Sequence, residues 1–366
     1  MPAPLVDLEN LRPDVDAAVR RHLDALAGEI TGHGDAARAL TDQAAVLLSG
    51  GKRLRAAFAY WSYRAHGGPA TGPRREAAVR AGAALELFQA AALLHDDVMD
   101  NSDTRRGHPT AHRAFEARHA DGGWAGDAGH FGVSAAILLG DLCLVACQRE
   151  LSEALELVDP GVAPAARAEF DRMQTEVIVG QYLDVLVQAE PWGKDPAADE
   201  ERARSVLRAK SASYSVQKPL VVGALLAGAP PAQVQAVRAA GLPLGEAFQL
   251  RDDVLGVFGD PGVTGKPAGD DLREGKRTVL MARAMAGADG AQRRLLSERL
   301  GDPDLDDAAV EALRAAVVDS GALADVEALI ADLAGRATSA LESAGLQEPG
   351  RDVLLGLARA AVDRAA

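Results

Sequence analysis

Asp96, Asp97 and Asp100 end the apolar stretch Leu93-Leu-His-Asp-Asp-Val-Met-Asp. On a helix Asp96 and Asp100 lie one turn apart and face the same way, with Asp97 close by. Carboxylates so placed repel one another, and a helix C-terminus prefers cations, so the cluster is costly unless a cation joins it. Magnesium suits the site, because it takes one or two carboxylates and completes its shell with water and phosphate oxygens. Arg105 and Arg106 follow closely, and guanidinium groups bind phosphate through a fixed fork. Far downstream Asp252 and Asp253 end a second apolar stretch, followed by Thr264-Gly-Lys-Pro and therefore Lys266. One acidic helix end could be mere solvated surface. Two, each followed by phosphate ligands, point to metal-bound phosphate chemistry.

Other candidates carry less. Only six of the 39 basic residues are lysine: Lys52, Lys194, Lys210, Lys218, Lys266 and Lys276. His108 and His112 have a spacing that could hold zinc, but Pro109 lies between them and no third ligand is evident, so a loop role is expected. His95 reads as a packing residue. Cys143 and Cys147, the only cysteines, sit one helical turn apart in an apolar run and read as core thiols. No Ser-His-Asp or Cys-His arrangement suggests a protein nucleophile.

The elements that must hold these groups are helical. Apolar residues recur at three- and four-residue spacing in Val15 to Ile30, Val79 to His95 and Val310 to Leu333. Alternating strand patterns and Asn-Gly turns are nearly absent. Gly67-Gly-Pro, Asp121-Gly-Gly, Asp159-Pro-Gly, Pro230-Pro231 and Asp260-Pro-Gly break the helices, and Gly122 to Gly132 reads as a loop. No break has the length of a domain linker. The expectation is one all-α domain of ten or more helices, spanning residues 15–350, with 1–14 and 351–366 as terminal extensions. Across 366 residues the formal net charge is −14, with 48% apolar and 25% charged side chains. That composition is globular, and its acidity argues against nucleic-acid binding. No run of eighteen uninterrupted apolar residues predicts a membrane span; Pro219 to Pro231 is the most lipid-like stretch and is too short. The first residues lack a basic segment followed by an apolar one, so a soluble cytoplasmic protein is expected.

Taken together, the motifs resemble the trans-isoprenyl diphosphate synthases of the polyprenyl synthetase family. Asp96 to Asp100 matches the first aspartate-rich motif and Asp252-Asp253 the second. Gly50-Gly-Lys-Arg-Leu-Arg, Gly180-Gln-Tyr-Leu-Asp, Lys210-Ser and Thr264-Gly-Lys-Pro-Ala-Gly-Asp-Asp-Leu-Arg-Glu-Gly-Lys match in the family's order, over roughly residues 15 to 350. The resemblance implies an isoprenoid synthase bundle around a central cavity, working as a homodimer. It implies that Asp96, Asp100 and Asp252 hold three magnesium ions, with Asp97 and Asp253 also in the catalytic set. Arg105, Lys210, Gln249, Lys266 and Lys276 would bind the diphosphate of an allylic substrate, with Ser211 beside them. Lys52, Arg55, Gln89 and Arg106 would bind that of isopentenyl diphosphate. Lys194 and Lys218 are left over and are expected on the solvated surface. One departure stands out. Many members complete the second motif as Asp-Asp-x-x-Asp, whereas the fifth position here is Gly256; Asp260, two turns past Asp252, is a candidate to compensate.

The same resemblance implies electrophilic alkylation and a product whose length is set by the helix before Asp96. Farnesyl-making relatives carry an aromatic four or five residues upstream, where this chain has Ala92 and Ala91. The next bulky groups are Phe88 and Leu85. Moving the floor by three residues deepens the pocket by about 4.5 Å, close to one five-carbon unit. The expected product is geranylgeranyl diphosphate, C20, with a longer chain or C15 farnesyl diphosphate as alternatives. A class I terpene cyclase would need no isopentenyl site, and a non-catalytic partner subunit would be expected to lose parts of the first motif. Both are whole here.

Overall fold

The computed structural model describes residues 7–105, 107–193, 195–260 and 269–362. In chain order the helices are α1 Leu11–Ile30, α2 Arg38–Leu48, α3 Leu54–Ala65, α4 Pro73–Met99, α5 Ala111–Asp121, α6 Ala128–Leu155, α7 Ala163–Ala189 and α8 Pro196–Leu207. A π-helical segment, Arg208–Gln217, leads into α9 Lys218–Leu226. Then come α10 Pro231–Phe258, α11 Asp270–Glu274, α12 Val279–Gly287, α13 Gly290–Arg299, α14 Asp307–Asp319, α15 Ala322–Ser343 and α16 Gly350–Val362. Among the described residues the only strands are β1 Thr104–Arg105 and β2 His108–Pro109, a short antiparallel pair. The all-α expectation holds.

The centre of the bundle is α4. Pro73 opens it at a position where the missing N–H costs nothing, and strong helix formers, chiefly Ala and Leu, run from there to the carboxylates. Ala81, Ala83, Ala84, Leu85 and Leu87 are wholly buried, and the small residues let α1, α3 and α6 approach closely. One core cluster joins α1, α3, α4, α6, α7 and α9, and a second joins α10, α12, α14 and α15. The π segment lies between α7 and α10. A side chain at Gly180 of α7 would run into the backbone of Lys210, and one at Gly245 of α10 into that of Ala212, so both helices grip this segment through glycine. Wide π turns recur at functional sites, and this one carries Lys210 and Ser211.

Several expectations need correction. Residues 351–362, expected in an extension, belong to α16, where Val353 and Leu354 are buried in the main core. Leu11, expected before the domain, is buried as well. The predicted helix from Val310 to Leu333 is two helices, because Gly321 adopts a left-handed φ of 83° and turns the chain. The expected loop to Gly132 stops sooner: Asp127 caps α6 by accepting from the His130 N–H, so the helix starts at Ala128.

Lys218 is not on the surface. It is 2% exposed, with Nζ 3.1 Å from Glu169 and 2.8 Å from Glu176, and Arg238 donates twice to Glu169. Buried charge of this kind persists only when paired, and a sequence pattern cannot show the pairing. Lys194 lies outside the described residues.

The stretch from Pro219 to Pro231 is too short for a span, as expected, but two longer helices are apolar enough on average. By length and composition two helices could cross a membrane, α4 and α6, whose most apolar windows are 78% and 39% buried in the protein. Scattered polar residues interrupt both in sequence without lowering the average enough.

Candidate active site

Helix α4 ends by presenting its aspartates in two directions. Asp97 turns inward, 2% exposed, and Arg105 on β1 donates to it from Nε at 2.8 Å and Nη2 at 2.5 Å. Asp96 and Asp100 share the other face. Lys210 Nζ bridges Asp96 at 2.9 Å and Asp184 of α7 at 2.6 Å, while Gln181, one turn before Asp184, donates to Asp96 at 3.0 Å. Lys276, just after α11, places Nζ 3.6 Å from both Asp100 and Asp271. Its other partner, Glu274, accepts a 3.0 Å hydrogen bond from Ser102.

Asp271 reaches on to the second motif. A Cβ built at Gly256 would collide with its carboxylate, so Asp271 fills the space that the missing side chain leaves on α10. Asp260 is exposed at the end of the described part of that segment, and the carboxylate against Gly256 is Asp271. On the same helix Gln249 donates to Asp253 at 2.9 Å, and Asp252 is exposed.

The electrostatics follow from this crowding. Burial alone would raise the Asp96 pKa, but Lys210, Lys276 and Arg105 outweigh it and hold the group charged, below the ordinary carboxylate range. Asp100 is pushed up to about 6 by burial and by the negative charge of Asp96. Asp253 rises to about 8, chiefly through burial, with Asp271 and Asp252 adding to it. Burial works against the Lys210 ammonium, yet Asp96 and Asp184 keep its pKa above the usual lysine range.

A second cationic group stands apart. Arg55, in the first turn of α3, lies 4.2 Å over the Tyr214 ring and donates to Tyr214 Oη at 2.6 Å and Ser215 Oγ at 2.8 Å. Lys52, just before α3, is exposed, and Gln89 is half-buried on α4. Lys210 and Tyr214 lie on the same π segment, so one element reaches both cationic groups. Arg106 and Lys266 lie outside the described residues.

On the deeper part of α4, Leu85, Phe88 and Ala91 are buried and Ala92 is half-buried. The Phe88 ring meets Phe170 of α7 edge-on at 6.4 Å and Tyr214 at 6.0 Å. Among the described residues, His95, His108, His112 and the two cysteines belong to no three-ligand group. His95 packs against α6 with Nε2 3.2 Å from the Ile137 carbonyl, and His112 is buried beside Thr110 while His108 is exposed. Both cysteines are buried, which pushes their thiols up to about 12.

The donor set fits hydrated magnesium. Among the described residues no three His, Cys, Asp or Glu side chains form a ready-made cage. A hard cation that keeps most of its water needs only one or two carboxylates and a phosphate, and Asp96 with Asp100 on one face of α4 and Asp252 on α10 can supply them. Lys210 and Lys276 add cationic groups beside these carboxylates.

Comparison with known proteins decides the family. The polyprenyl synthetase family model matches residues 38–317. The chain belongs to this family.

Among other polyprenyl synthetases, it is similar to a geranylgeranyl diphosphate synthase of Mycobacterium tuberculosis, 34% identical over 73% of this chain and 67% of that protein. A geranylfarnesyl diphosphate synthase of Aeropyrum pernix is 32% identical over 76% of this chain and 79% of its own length. The crystal structure of a geranylgeranyl pyrophosphate synthase of Corynebacterium glutamicum, complexed with isoprenyl diphosphate and magnesium, superimposes with a TM-score of 0.91. It is 36% identical and covers 98% of this chain and 100% of that one. The all-α bundle is thus the isoprenoid synthase fold, and the polyprenyl synthetase is a prenyltransferase. Sequence reasoning left Asp184, Gln181, Tyr214 and Asp271 without roles. The first two were signalled by Gly180-Gln-Tyr-Leu-Asp and the last by Gly269-Asp-Asp-Leu; Tyr214 had no signal beyond its place four residues after Lys210.

Proposed function

We propose that this polyprenyl synthetase condenses isopentenyl diphosphate with an allylic diphosphate and releases geranylgeranyl diphosphate, C20. The observation that carries the reading is the cluster in which Lys210 and Lys276 pair with the first aspartate-rich motif and Lys276 reaches the second through Asp271, with Arg55 on a different element as a second cationic group. Such a site can hold two diphosphates at once, which a terpene cyclase does not need.

Asp96, Asp100 and Asp252 would together hold three magnesium ions, and bound magnesium would supply neutralisation of charge on the departing diphosphate. Lys210, Lys276 and Arg105 bind that diphosphate directly, joined by Gln249, Ser211 and Lys266. Their fixed charges favour ionisation of the allylic C–O bond because the charge develops where they already point. Lys52, Arg55, Gln89 and Arg106 hold the diphosphate of the second substrate and aim its C4 alkene at the cation. The new carbon–carbon bond forms as the allylic diphosphate leaves, and a proton then passes to that released diphosphate. The apolar walls of α4 and α7 keep water away, so hydrolysis does not compete.

The test is incubation with magnesium, isopentenyl diphosphate and farnesyl diphosphate, with product length read by mass. A C20 prenyl diphosphate is expected. Longer products would keep the activity and overturn the C20 assignment; no product with farnesyl, geranyl or dimethylallyl primers would overturn the catalytic reading in favour of a partner subunit.

We further infer a soluble, cytoplasmic homodimer formed through α6 and α7. Leu138 and Val145 on α6 are 61% and 57% exposed, and Ile178, Tyr182 and Val185 make an apolar stripe one to two turns long on neighbouring α7. A second copy covers such a face with the same face of its own. Leu138→Arg should shift the protein from dimer to monomer in sedimentation; an unchanged mass would remove α6 from the interface. Binding of the unaltered protein to lipid vesicles would instead assign the face to a membrane.

A further inference from the structure

The loop that delivers Lys52 and Arg55 contains a buried arginine with no part in the chemistry described so far. Arg53 is 5% exposed and adopts φ 51°, ψ 42°, the left-handed conformation that L residues avoid. Glycine occupies such positions at no steric cost, and Gly50 and Gly51 do so just before it, with φ of 69° and 90°. An arginine at a position glycine would fill more easily is there for its side chain.

That side chain is fixed by three separate elements. Nε donates to Asp16 of α1 at 2.7 Å, Nη1 to Glu86 of α4 at 3.3 Å, and Nη2 to the carbonyl of Leu48 at the end of α2 at 2.5 Å. Glu86, itself 4% exposed, also accepts from the Ala56 N–H at 3.4 Å, one of the amides in the first turn of α3 that has no partner within the helix. The Arg53 carbonyl accepts the next helical bond, from Ala57 at 2.8 Å. The guanidinium, the loop and the start of α3 are therefore one clamped unit. On either side of the clamp, Lys52 is exposed while Arg55 points across to Tyr214 and Ser215.

We propose that Arg53 is a positioning residue of the isopentenyl half-site: clamped by Asp16, Glu86 and the Leu48 carbonyl, it holds the left-handed turn that sets the separation and direction of Lys52 and Arg55. The proposal rests on the reading that these two residues bind the isopentenyl diphosphate. It makes the half-site rigid before substrate arrives, so binding a second diphosphate costs no loop ordering. The allylic half-site, built on α4, α7, the π segment and α11, shares none of these contacts.

The test is steady-state kinetics of Arg53→Gly, with each substrate varied separately. Glycine keeps the left-handed turn open to the backbone, so the variant removes the clamp without straining the turn. KM for isopentenyl diphosphate should rise about tenfold while KM for farnesyl diphosphate stays within about twofold, as expected for misplacement of one binding pair. If Arg53→Gly does not fold by circular dichroism, Asp16→Asn serves, since it leaves two of the three contacts; about a threefold rise confined to isopentenyl diphosphate is expected. Arg55→Met is measured alongside. If it raises the isopentenyl KM but the clamp variant leaves both KM values unchanged, or raises both equally, Arg53 has only a structural role and the proposal fails. If Arg55→Met leaves the isopentenyl KM unchanged, the assignment of Lys52 and Arg55 falls, and the proposal falls with it.

Discussion

Asp96→Ala should cut turnover at least a hundredfold while leaving the fold intact. The magnitude follows from what the carboxylate does in the proposed reaction: it holds one of the charges that stabilise a departing diphosphate, and loss of a single preorganised electrostatic contact costs about two to three orders of magnitude. The fold should survive because each partner of Asp96 keeps another. Lys210 retains Asp184 at 2.6 Å, and Arg105 retains its bonds to Asp97. Removing Asp96 also relieves its repulsion of Asp100, so the Asp100 pKa should move down from its raised position. Thermal midpoints within about 3 °C of each other are expected, which for a chain of this size is on the order of 2 kcal/mol. Near-normal turnover at ordinary magnesium would sink the metal assignment. Lost turnover with a collapsed melting transition would mean that Asp96 serves the fold.

The part of this site that could be read from sequence is the part written in local spacing. Asp96 and Asp100 share a face because they are one helical turn apart, and that needs no tertiary knowledge. Lys210 and Lys276 stood out because the chain otherwise uses arginine. What spacing could not give was which groups meet across the bundle. Asp184 joins Lys210 because Gly180 lets α7 approach the π segment, and Asp271 stands at the second motif because Gly256 leaves room for it. In both cases the informative residue is a glycine, whose meaning depends on what comes to lie against it. The opposite failure occurred at Lys218, where a charged residue was expected in solvent and its carboxylate partners come from another helix. The helical class was legible from periodicity, and the break at Gly321 was not, since the apolar spacing continues across it.

Product length should respond in opposite directions to substitutions on one face of α4. Ala91→Phe or Ala92→Phe places an aromatic ring one turn or so above Asp96's own helical register, where the proposed C20 product needs open space, and should shift the main product to C15. Phe88→Ala should shift it to C25 or longer. Phe88 is 1% exposed and meets Phe170 and Tyr214 edge-on, so its ring is held in place by two neighbours from other elements. Removing it opens a space bounded by the next bulky group down the helix, Leu85, which lies three residues or about 4.5 Å further along. One isoprene unit occupies about that length, so a single substitution should add one unit before the next wall is met. The cost is a cavity of the kind that lowers core stability by about 3–5 kcal/mol, and a lower melting temperature is expected with the longer product. Tyr214 gives the experiment an internal check. It braces Phe88 on one side and accepts from Arg55 on the other, so a disturbance that travelled through Tyr214 would raise the isopentenyl KM as well. A longer product with an unchanged isopentenyl KM would place the effect at the floor itself. Extracted prenyl alcohols of unchanged length from all three variants would show that another helix closes the pocket and that Phe88 is ordinary core.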